Sequence, residues 1–402
     1  MKTSQEKIIL LILAFINFTH IIDFMIMMPL APQLIPFFNI NPQQFGYLVS
    51  SYTISAGISG FLMAFFVDRL NRKTTLLMGY IGFIVGTIAC GLAPTYDLLL
   101  LARIVAGTFG GLIGAQVLSI VGDVVPFERR GQAMGIVMLA FSMASIVGVP
   151  FGLYVANALS WHAPFLIVGG VGMLIIPAIY LFLPNLNTHI QKGAKFSPMS
   201  VIAPILTNYN QQIGILMMVL LITGHFLVIP FLSPYMVSNV GFTKETLPLI
   251  YLFGGVVTLF SSPIVGKFSD KYGKFKVLYF GIIASMLPIL LITHLQQTPL
   301  YVALMISCIF FIFTGARIIP AQAIITSLVP AQQRGSYMSI SSSLQQLAMG
   351  IAAFVAGSII IEGEDKKLLN YNYVGYLSVL VSLVAMFVAY LLSKQQTKNS
   401  TE

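Results

Sequence analysis

Twelve long apolar runs constrain what this chain can fold into. They lie at about residues 8–36, 46–67, 74–93, 98–122, 132–159, 163–183, 212–236, 247–265, 277–295, 299–328, 336–361 and 374–392. A helix that crosses a bilayer needs roughly 20 apolar residues, and most of the runs reach that length. The sequence lacks the alternating segments of about ten residues that mark a transmembrane β-barrel. The runs therefore predict an all-α integral membrane protein with twelve transmembrane helices.

The low charge content excludes soluble classes of protein. Charged residues make up 8% of the chain, whereas a soluble domain has about 25%. Soluble enzymes, secreted disulfide scaffolds and nucleic-acid binders are excluded together. Cys90 and Cys308 both lie in apolar runs and show no metal-ligand spacing, so we expect neither a disulfide framework nor a metal site. No nucleotide-binding motif is present either, and we expect no cofactor.

The positions of the basic residues predict the orientation in the membrane. Sixteen of the 21 Lys and Arg residues fall in segments that would share the side of the N-terminus, and only Lys244, Lys366 and Lys367 fall on the other side. Positively charged loops remain in the cytoplasm. We therefore predict that both termini are cytoplasmic, in what we expect to be a bacterial inner membrane. This distribution also explains the net charge of +9 without an anionic partner such as nucleic acid.

The chain contains an internal repeat. A shift of 202 residues places Asp68 on Asp270 and Arg72 on Lys274, and a shift of 204 places residues 126–131 on 330–335. Each half holds six predicted helices, so both halves insert with the same orientation. The predicted organisation is a bundle at 1–184, a cytoplasmic linker at 185–211 and a second bundle at 212–402. Parallel repeats of this kind are typical of transporters, whose substrate site lies at the midplane between the repeats.

Three motifs resemble those of the major facilitator superfamily. Residues 64–73 (AFFVDRLNRK) are similar to its loop motif G-x-x-x-D-R-x-G-R-R/K, with Ala64 and Asn71 in place of two glycines. Residues 103–107 (RIVAG) resemble the R-x-x-x-G motif of proton-coupled members. Residues 148–153 (GVPFGL) resemble part of the antiporter motif, with the sugar-efflux branch of the twelve-helix antiporters as the better match. The resemblance implies the major facilitator fold and a proton-coupled drug or sugar efflux antiporter.

The resemblance also implies a cytoplasmic gate. In the family the loop motif pairs with an acid at the cytoplasmic end of the fourth helix, and Asp123 matches that position. We expect the gate to hold the outward-facing state closed toward the cytoplasm. Its predicted members are Asp68, Arg69, Arg72, Lys73, Asp123, Asp270 and Lys274.

Charges deep in a bilayer cost at least about 2.5 kcal/mol each, so each one retained needs a reason. Asp23 is the only acid deep in a predicted helix, and Arg103 lies at a similar depth by the rise of about 1.5 Å per residue. We expect a salt bridge between them that either couples transport to protons or is structural. The shift of 202 places His225 on Asp23, so His225 either shares the proton chemistry or packs within its half.

The remaining polar groups within the helices are candidates for a substrate cavity. Arg317 would recognise a polar or anionic group, or else bind backbone carbonyls freed by Pro320. His20, on the same face as Asp23, would tune the acid or satisfy a neighbour on the helix. The other candidates, which would line the cavity or merely bridge helices, are Tyr52, Gln116, Tyr235, Gln322, Gln345 and Gln346.

These features predict a monomeric secondary transporter that exports a small molecule in exchange for protons by alternating access. Proton-coupled uptake or lipid flipping on the same fold is an alternative. A remote alternative is an intramembrane transferase, which would need paired catalytic residues on a sizeable boundary loop, whereas the predicted loops are short. Proton fluxes in proteoliposomes, screened against sugars, amphiphilic cations and lysolipids, would distinguish these functions.

Overall fold

The computed structural model describes residues 3–66, 70–126, 129–185, 198–330 and 334–401. These residues form α-helices and one short β-hairpin, in which Ile361–Glu362 pairs antiparallel with Leu368–Leu369. The helices are α1 (Thr3–Ile26), α2 (Ala31–Phe38), α3 (Pro42–Met63), α4 (Arg72–Leu92), α5 (Tyr96–Val124), α6 (Arg130–Met143), α7 (Val149–Ala158), α8 (His162–Phe182), α9 (Pro198–Thr207), α10 (Tyr209–Tyr235), α11 (Pro248–Tyr272), α12 (Lys274–His294), α13 (Leu300–Ser327), α14 (Arg334–Ile359) and α15 (Tyr371–Thr401).

The predicted all-α membrane fold is confirmed. Within the described ranges, eleven helical segments are long and apolar enough to cross a membrane, one of them built from α6 and α7 together. The remaining predicted span is α3, whose 22 residues would suffice in length but include several Ser, Gln and Tyr residues. Because α3 packs between α5 and α14, these polar side chains are largely shielded by protein.

Prolines interrupt two of the predicted runs. The first run, 8–36, is not one helix, because α1 ends at Ile26 and a turn containing Pro29 precedes α2. The run 132–159 contains a π-helical turn at Ala144–Gly148, which ends two residues before Pro150. Proline lacks the backbone N–H needed to continue the regular ladder, and π-turns are a common local solution. The predicted linker also includes a short helix, α9, while its residues 186–197 lie outside the described residues.

The two halves, α1–α8 and α10–α15, share a core at one end only. We call the end that carries Arg72, Arg129 and Lys274 the basic end, and the other end the opposite end. At the opposite end, one continuous hydrophobic cluster joins residues of both halves, such as Trp161 and Phe231. At the basic end each half has a separate core, with Phe61 of α3 packed against the core of the C-terminal half. The halves are therefore joined most extensively at the opposite end.

Small residues allow the halves to meet closely along α3 and α14. A Cβ atom placed on Gly46 would lie 3.0 Å from the Ala353 carbonyl oxygen and 3.4 Å from the Cα of Gly357. At the opposite end, the Asn157 Nδ2 donates to the Lys244 carbonyl oxygen over 2.6 Å, which connects the two halves. Closure at this end thus rests on both packing and hydrogen bonds.

Candidate functional site

The deepest charges of the N-terminal half form an ion pair. Arg103 Nη1 of α5 donates to Asp23 Oδ2 of α1 over 3.0 Å, and both side chains are 0% exposed. The same nitrogen is 3.5 Å from the Asp23 carbonyl oxygen. The structure thus brings together the two residues that the sequence placed at one depth. Their role in proton coupling stays a prediction.

Two other helices complete the surroundings of the pair. The guanidinium carbon of Arg103 lies 4.2 Å from the centre of the Tyr52 ring of α3. Such a cation–π contact stabilises a desolvated cation by about 2 kcal/mol. Thr87 and Cys90 of α4 lie beside the pair. Sequence reasoning missed these two residues, because hydroxyl and thiol groups in apolar helices usually bond to their own backbone.

Several buried polar atoms around the pair have no hydrogen-bond partner among the described residues. They are Asp23 Oδ1, Arg103 Nε and Nη2, Tyr52 Oη, His20 Nε2 and Thr87 Oγ1. Two of them meet near Gly110 of α5, where an added Cβ would lie 2.8 Å from Tyr52 Oη and 3.0 Å from His20 Nε2. Buried polar atoms are normally paired, and exceptions concentrate at functional sites. The cluster therefore has spare donors and acceptors for a proton, water or substrate group.

The cluster lies next to the interface between the halves. Phe24, which follows Asp23, stacks on Tyr52 with 5.6 Å between ring centres and on Phe226 of α10 with 6.0 Å. Phe24 and Phe226 are related by the same shift of 202 residues that relates Asp23 to His225. The internal repeat thus aligns the two phenylalanines that meet across the interface. Movement of one half against the other would change the surroundings of Asp23.

His225 belongs to a different cluster. Its ring stacks on Phe310 of α13 at 5.9 Å, and it interacts electrostatically with Arg317 rather than with the Asp23–Arg103 pair. Arg317 Nη1 donates to Ser382 Oγ over 2.9 Å and to Ser285 Oγ over 3.4 Å. The expectation that Arg317 binds carbonyls freed by Pro320 is thus wrong. Its guanidinium also lies inside the C-terminal half, toward α12 and α15, and is 0% exposed.

The other predicted cavity residues are dispersed. Tyr235 does not reach the midplane, because its hydroxyl donates to the Leu295 carbonyl oxygen over 2.7 Å near the opposite end. There it lines an open polar pocket of about 640 Å³ formed by residues of the C-terminal half. Gln116 is fully enclosed, and Gln345 bonds to Ser341 of its own helix at 3.1 Å. Gln322 and Gln346 are half-buried on α13 and α14. These residues do not form one cavity in this structure.

The predicted gate residues lie at the basic end, mostly with partners in their own half. Arg72 Nε is 3.3 Å from Asp123 Oδ2, which joins α4 to α5. Lys73 Nζ donates to the Tyr180 carbonyl oxygen at 2.7 Å, and Lys274 Nζ is 3.4 Å from that of Ala323. Asp270 is exposed, while Asp68 and Arg69 lie outside the described residues. The Arg72–Asp123 pair therefore acts within the N-terminal half.

Two features of the basic end were not anticipated. Arg129 Nη2 forms an ion pair with Glu6 Oε2 at 2.9 Å, which connects the start of α1 to the loop before α6. Asn71, where the family motif has glycine, caps α4 by accepting from the backbone N–H groups of Lys73 and Thr74. Its repeat partner Gly273 has φ of 97°, a conformation that favours glycine. The two halves thus start equivalent helices by different means.

The fold and the site define a class of protein: a polytopic membrane transporter built from two repeated helical halves. A family model described as "Major Facilitator Superfamily" matches residues 13–313 and 214–402. The chain belongs to this superfamily, as its motifs predicted. Members of the family are transporters rather than enzymes, so the transferase alternative is wrong.

Similar proteins cover nearly the whole chain. It is 24% identical over 391 residues to the "Uncharacterized MFS-type transporter YceJ" of Bacillus subtilis (strain 168), covering 94% of this chain and 95% of that one. It is 25% identical over 351 residues to a "Probable sugar efflux transporter" of Helicobacter acinonychis (strain Sheeba), covering 87% and 86%. A solved bacterial homolog of the human lysosomal transporter Spinster, inward-facing and unoccupied, matches with a TM-score of 0.77, 18% identity and 99% of each chain.

Proposed function

We propose that this protein is a proton-coupled antiporter that exports a small molecule by alternating access, with Asp23 as the proton-binding group. The observation that carries the proposal is the fully enclosed Asp23–Arg103 ion pair, surrounded by polar atoms that lack partners. An ion pair in a dry interior is retained only where its geometry or function compensates for desolvation. The ion pair lies beside the contact between Phe24 and Phe226, which joins the two halves. Protonation of the pair would therefore be coupled to movement of the halves.

Binding of a proton to Asp23 would shift the balance between the two conformations. The neutral acid no longer attracts Arg103 as an ion, so the guanidinium is free to bind Tyr52, water or substrate instead. Any ligand that binds two conformations unequally shifts the population toward the one it prefers, and a proton is no exception. Substrate and proton would then compete for the same polar cluster, which is the requirement for exchange.

The arrangement of the cores supports alternating access. If the basic end is cytoplasmic, the shared core closes this state toward the outside and the separate cores lie toward the cytoplasm. Rocking of the halves would open the opposite end and bring the basic ends together, where Arg72, Asp123 and the rest of the gate lie. This orientation places both termini in the cytoplasm of a bacterial cell.

The similarity to proteins named as sugar efflux transporters supports export and makes polyhydroxylated solutes the first to test. We propose that the transporter acts as a monomer in the inner membrane. Proton-coupled uptake and lipid flipping remain alternative functions on the same fold, and the direction of coupled flux separates them from export.

The test measures solute-dependent proton flux in proteoliposomes of known orientation. Sugars, amphiphilic cations and lysolipids are screened with wild-type protein, and the active solute is then followed under an imposed pH gradient. We expect Asp23→Asn, which mimics the protonated acid, to abolish gradient-driven accumulation while solute binding persists. Asp97→Asn provides a matched control, because Asp97 is an exposed carboxylate at the start of the same helix as Arg103. Accumulation against a gradient by the Asp23→Asn protein would disprove the coupling role.

A further inference from the structure

The C-terminal half contains a buried cation that its neighbours do not neutralise. Arg317 is 0% exposed and donates through Nη1 to Ser382 and Ser285. Both hydroxyls give their own protons to helix carbonyls at 2.8 Å, those of Ser378 and Ile282. The two serines therefore act as neutral acceptors. They orient the guanidinium without supplying a negative charge.

No carboxylate among the described residues forms an ion pair with Arg317. Its Nε and Nη2 atoms have no hydrogen-bond partner in the described part of the chain. The neighbouring His225 Nδ1 is also buried and without a partner there. Arginine cannot discharge itself by losing a proton under ordinary conditions. An unpaired charge at such a site costs several kcal/mol unless an anion reaches it.

Comparison with the N-terminal half identifies what is missing. There, the arginine of α5 is paired with Asp23 of α1. The shift of 202 residues puts His225 in the place of that acid, on α10 next to α13. The same shift places Arg103 on Met305, so Arg317 is not its repeat equivalent but a cation buried at another position of the C-terminal half. The described residues supply a carboxylate to the buried arginine of the first half and none to that of the second.

We infer that the C-terminal half binds one small monovalent anion, a halide or a carboxylate, through the Nε and Nη2 groups of Arg317. The planar guanidinium presents parallel N–H donors that suit a carboxylate and equally bind a halide. Because the side chain is fully enclosed, the anion is one small enough to be enclosed with it. The site lies apart from the Asp23–Arg103 pair and does not depend on the proposed proton coupling.

The test is thermal unfolding of the purified full-length protein in detergent, with the single tryptophan as the fluorescence probe. Chloride or acetate replaces gluconate at constant ionic strength. An anion at ten times its Kd raises the midpoint by roughly 2 °C in a chain of this length. We expect this rise for the wild type and its loss in Arg317→Gln. Lys267→Gln, which removes one exposed positive charge, is the matched control and keeps the rise.

The two anions distinguish the sources of the ligand. Equal effects of chloride and acetate support an inorganic anion from solution, whereas an effect of acetate alone supports a carboxylate carried by an organic solute. An unchanged wild-type midpoint, or an equal rise in Arg317→Gln, overturns the site. If Arg317→Gln does not fold, equilibrium binding of radioactive chloride and acetate to the wild type decides the question. We then expect about one bound anion per chain, and no bound anion of either kind rejects the inference.

Discussion

Removing the charge of Asp23 tests the energetics of the buried pair independently of transport. In Asp23→Asn, the guanidinium of Arg103 stays charged and 0% exposed but loses the carboxylate at 3.0 Å. Loss of one partner of a buried pair destabilises proteins by about 3–5 kcal/mol. The Tyr52 ring at 4.2 Å remains beside the guanidinium as a cation–π partner, so we expect a loss at the lower end of this range, about 3 kcal/mol.

Removing the other partner has a different consequence. In Arg103→Gln, the Asp23 carboxylate loses its cation, but it can take up a proton and become neutral. Folding of this variant then binds a proton, so its stability falls as the pH rises. The buried charge that remains in Asp23→Asn cannot be neutralised in this way, because a guanidinium keeps its proton. We therefore expect Asp23→Asn to be the more destabilised variant at low pH, with little dependence of its own on pH.

Unfolding of the two variants and their double mutant in detergent measures these effects. A loss of 3 kcal/mol corresponds to a midpoint about 3–4 °C lower in a chain of 402 residues. The double-mutant cycle should give a coupling energy of about 2–3 kcal/mol, because removing both partners leaves no buried charge. A coupling energy near zero, or an Asp23→Asn protein as stable as the wild type, would refute the pair as a significant interaction.

Two further predictions concern helix packing and the gate. A Cβ on Gly107 would press on the backbone of α3, so Gly107→Ala should destabilise the folded protein by about 1–3 kcal/mol. Gly114 has open space beside it, so Gly114→Ala should be neutral or stabilising in the same melts. Equal effects of the two substitutions would contradict the packing. Arg72→Ala removes the ion pair to Asp123 and should increase labelling of cysteines introduced at the basic end, at near-normal expression. Unchanged labelling of a well-folded protein would exclude the gate.

The sequence predicted how deep the buried polar residues lie in the membrane better than it predicted the side of the helix on which they project. Asp23 and Arg103 could be paired because the rise along a helix is fixed, so distance from the basic loops gives depth. Depth does not give the rotation of a helix about its axis. Tyr235 and Arg317 were therefore assigned to a central cavity, whereas their side chains point into the C-terminal half. In an all-apolar helix no polar stripe shows which face meets protein.

The sequence patterns also did not predict where the helices are interrupted. Pro29 and Pro150 both stand in apolar runs, yet the first ends a helix and the second follows a π-turn that continues one. Prolines are tolerated within membrane helices when neighbours satisfy the freed backbone groups, so the outcome depends on tertiary contacts. The ion pair between Glu6 at the start of α1 and Arg129 in the loop before α6 could not be predicted either, because each residue flanks a membrane span and has many possible partners.

A carboxylate side chain introduced into the C-terminal half should take the place of the proposed bound anion. Replacing His225 by Glu places a carboxylate at the position that Asp23 holds in the N-terminal half, beside a guanidinium with two free nitrogens. The new carboxylate would neutralise Arg317 and occupy the donors that we assign to the anion. We expect His225→Glu to unfold at the same temperature in chloride and in gluconate, while His225→Gln, which adds no charge, keeps the chloride effect. If the His225→Glu protein still gains stability from chloride, the anion binds elsewhere, and the buried cation of the C-terminal half is balanced by some other group.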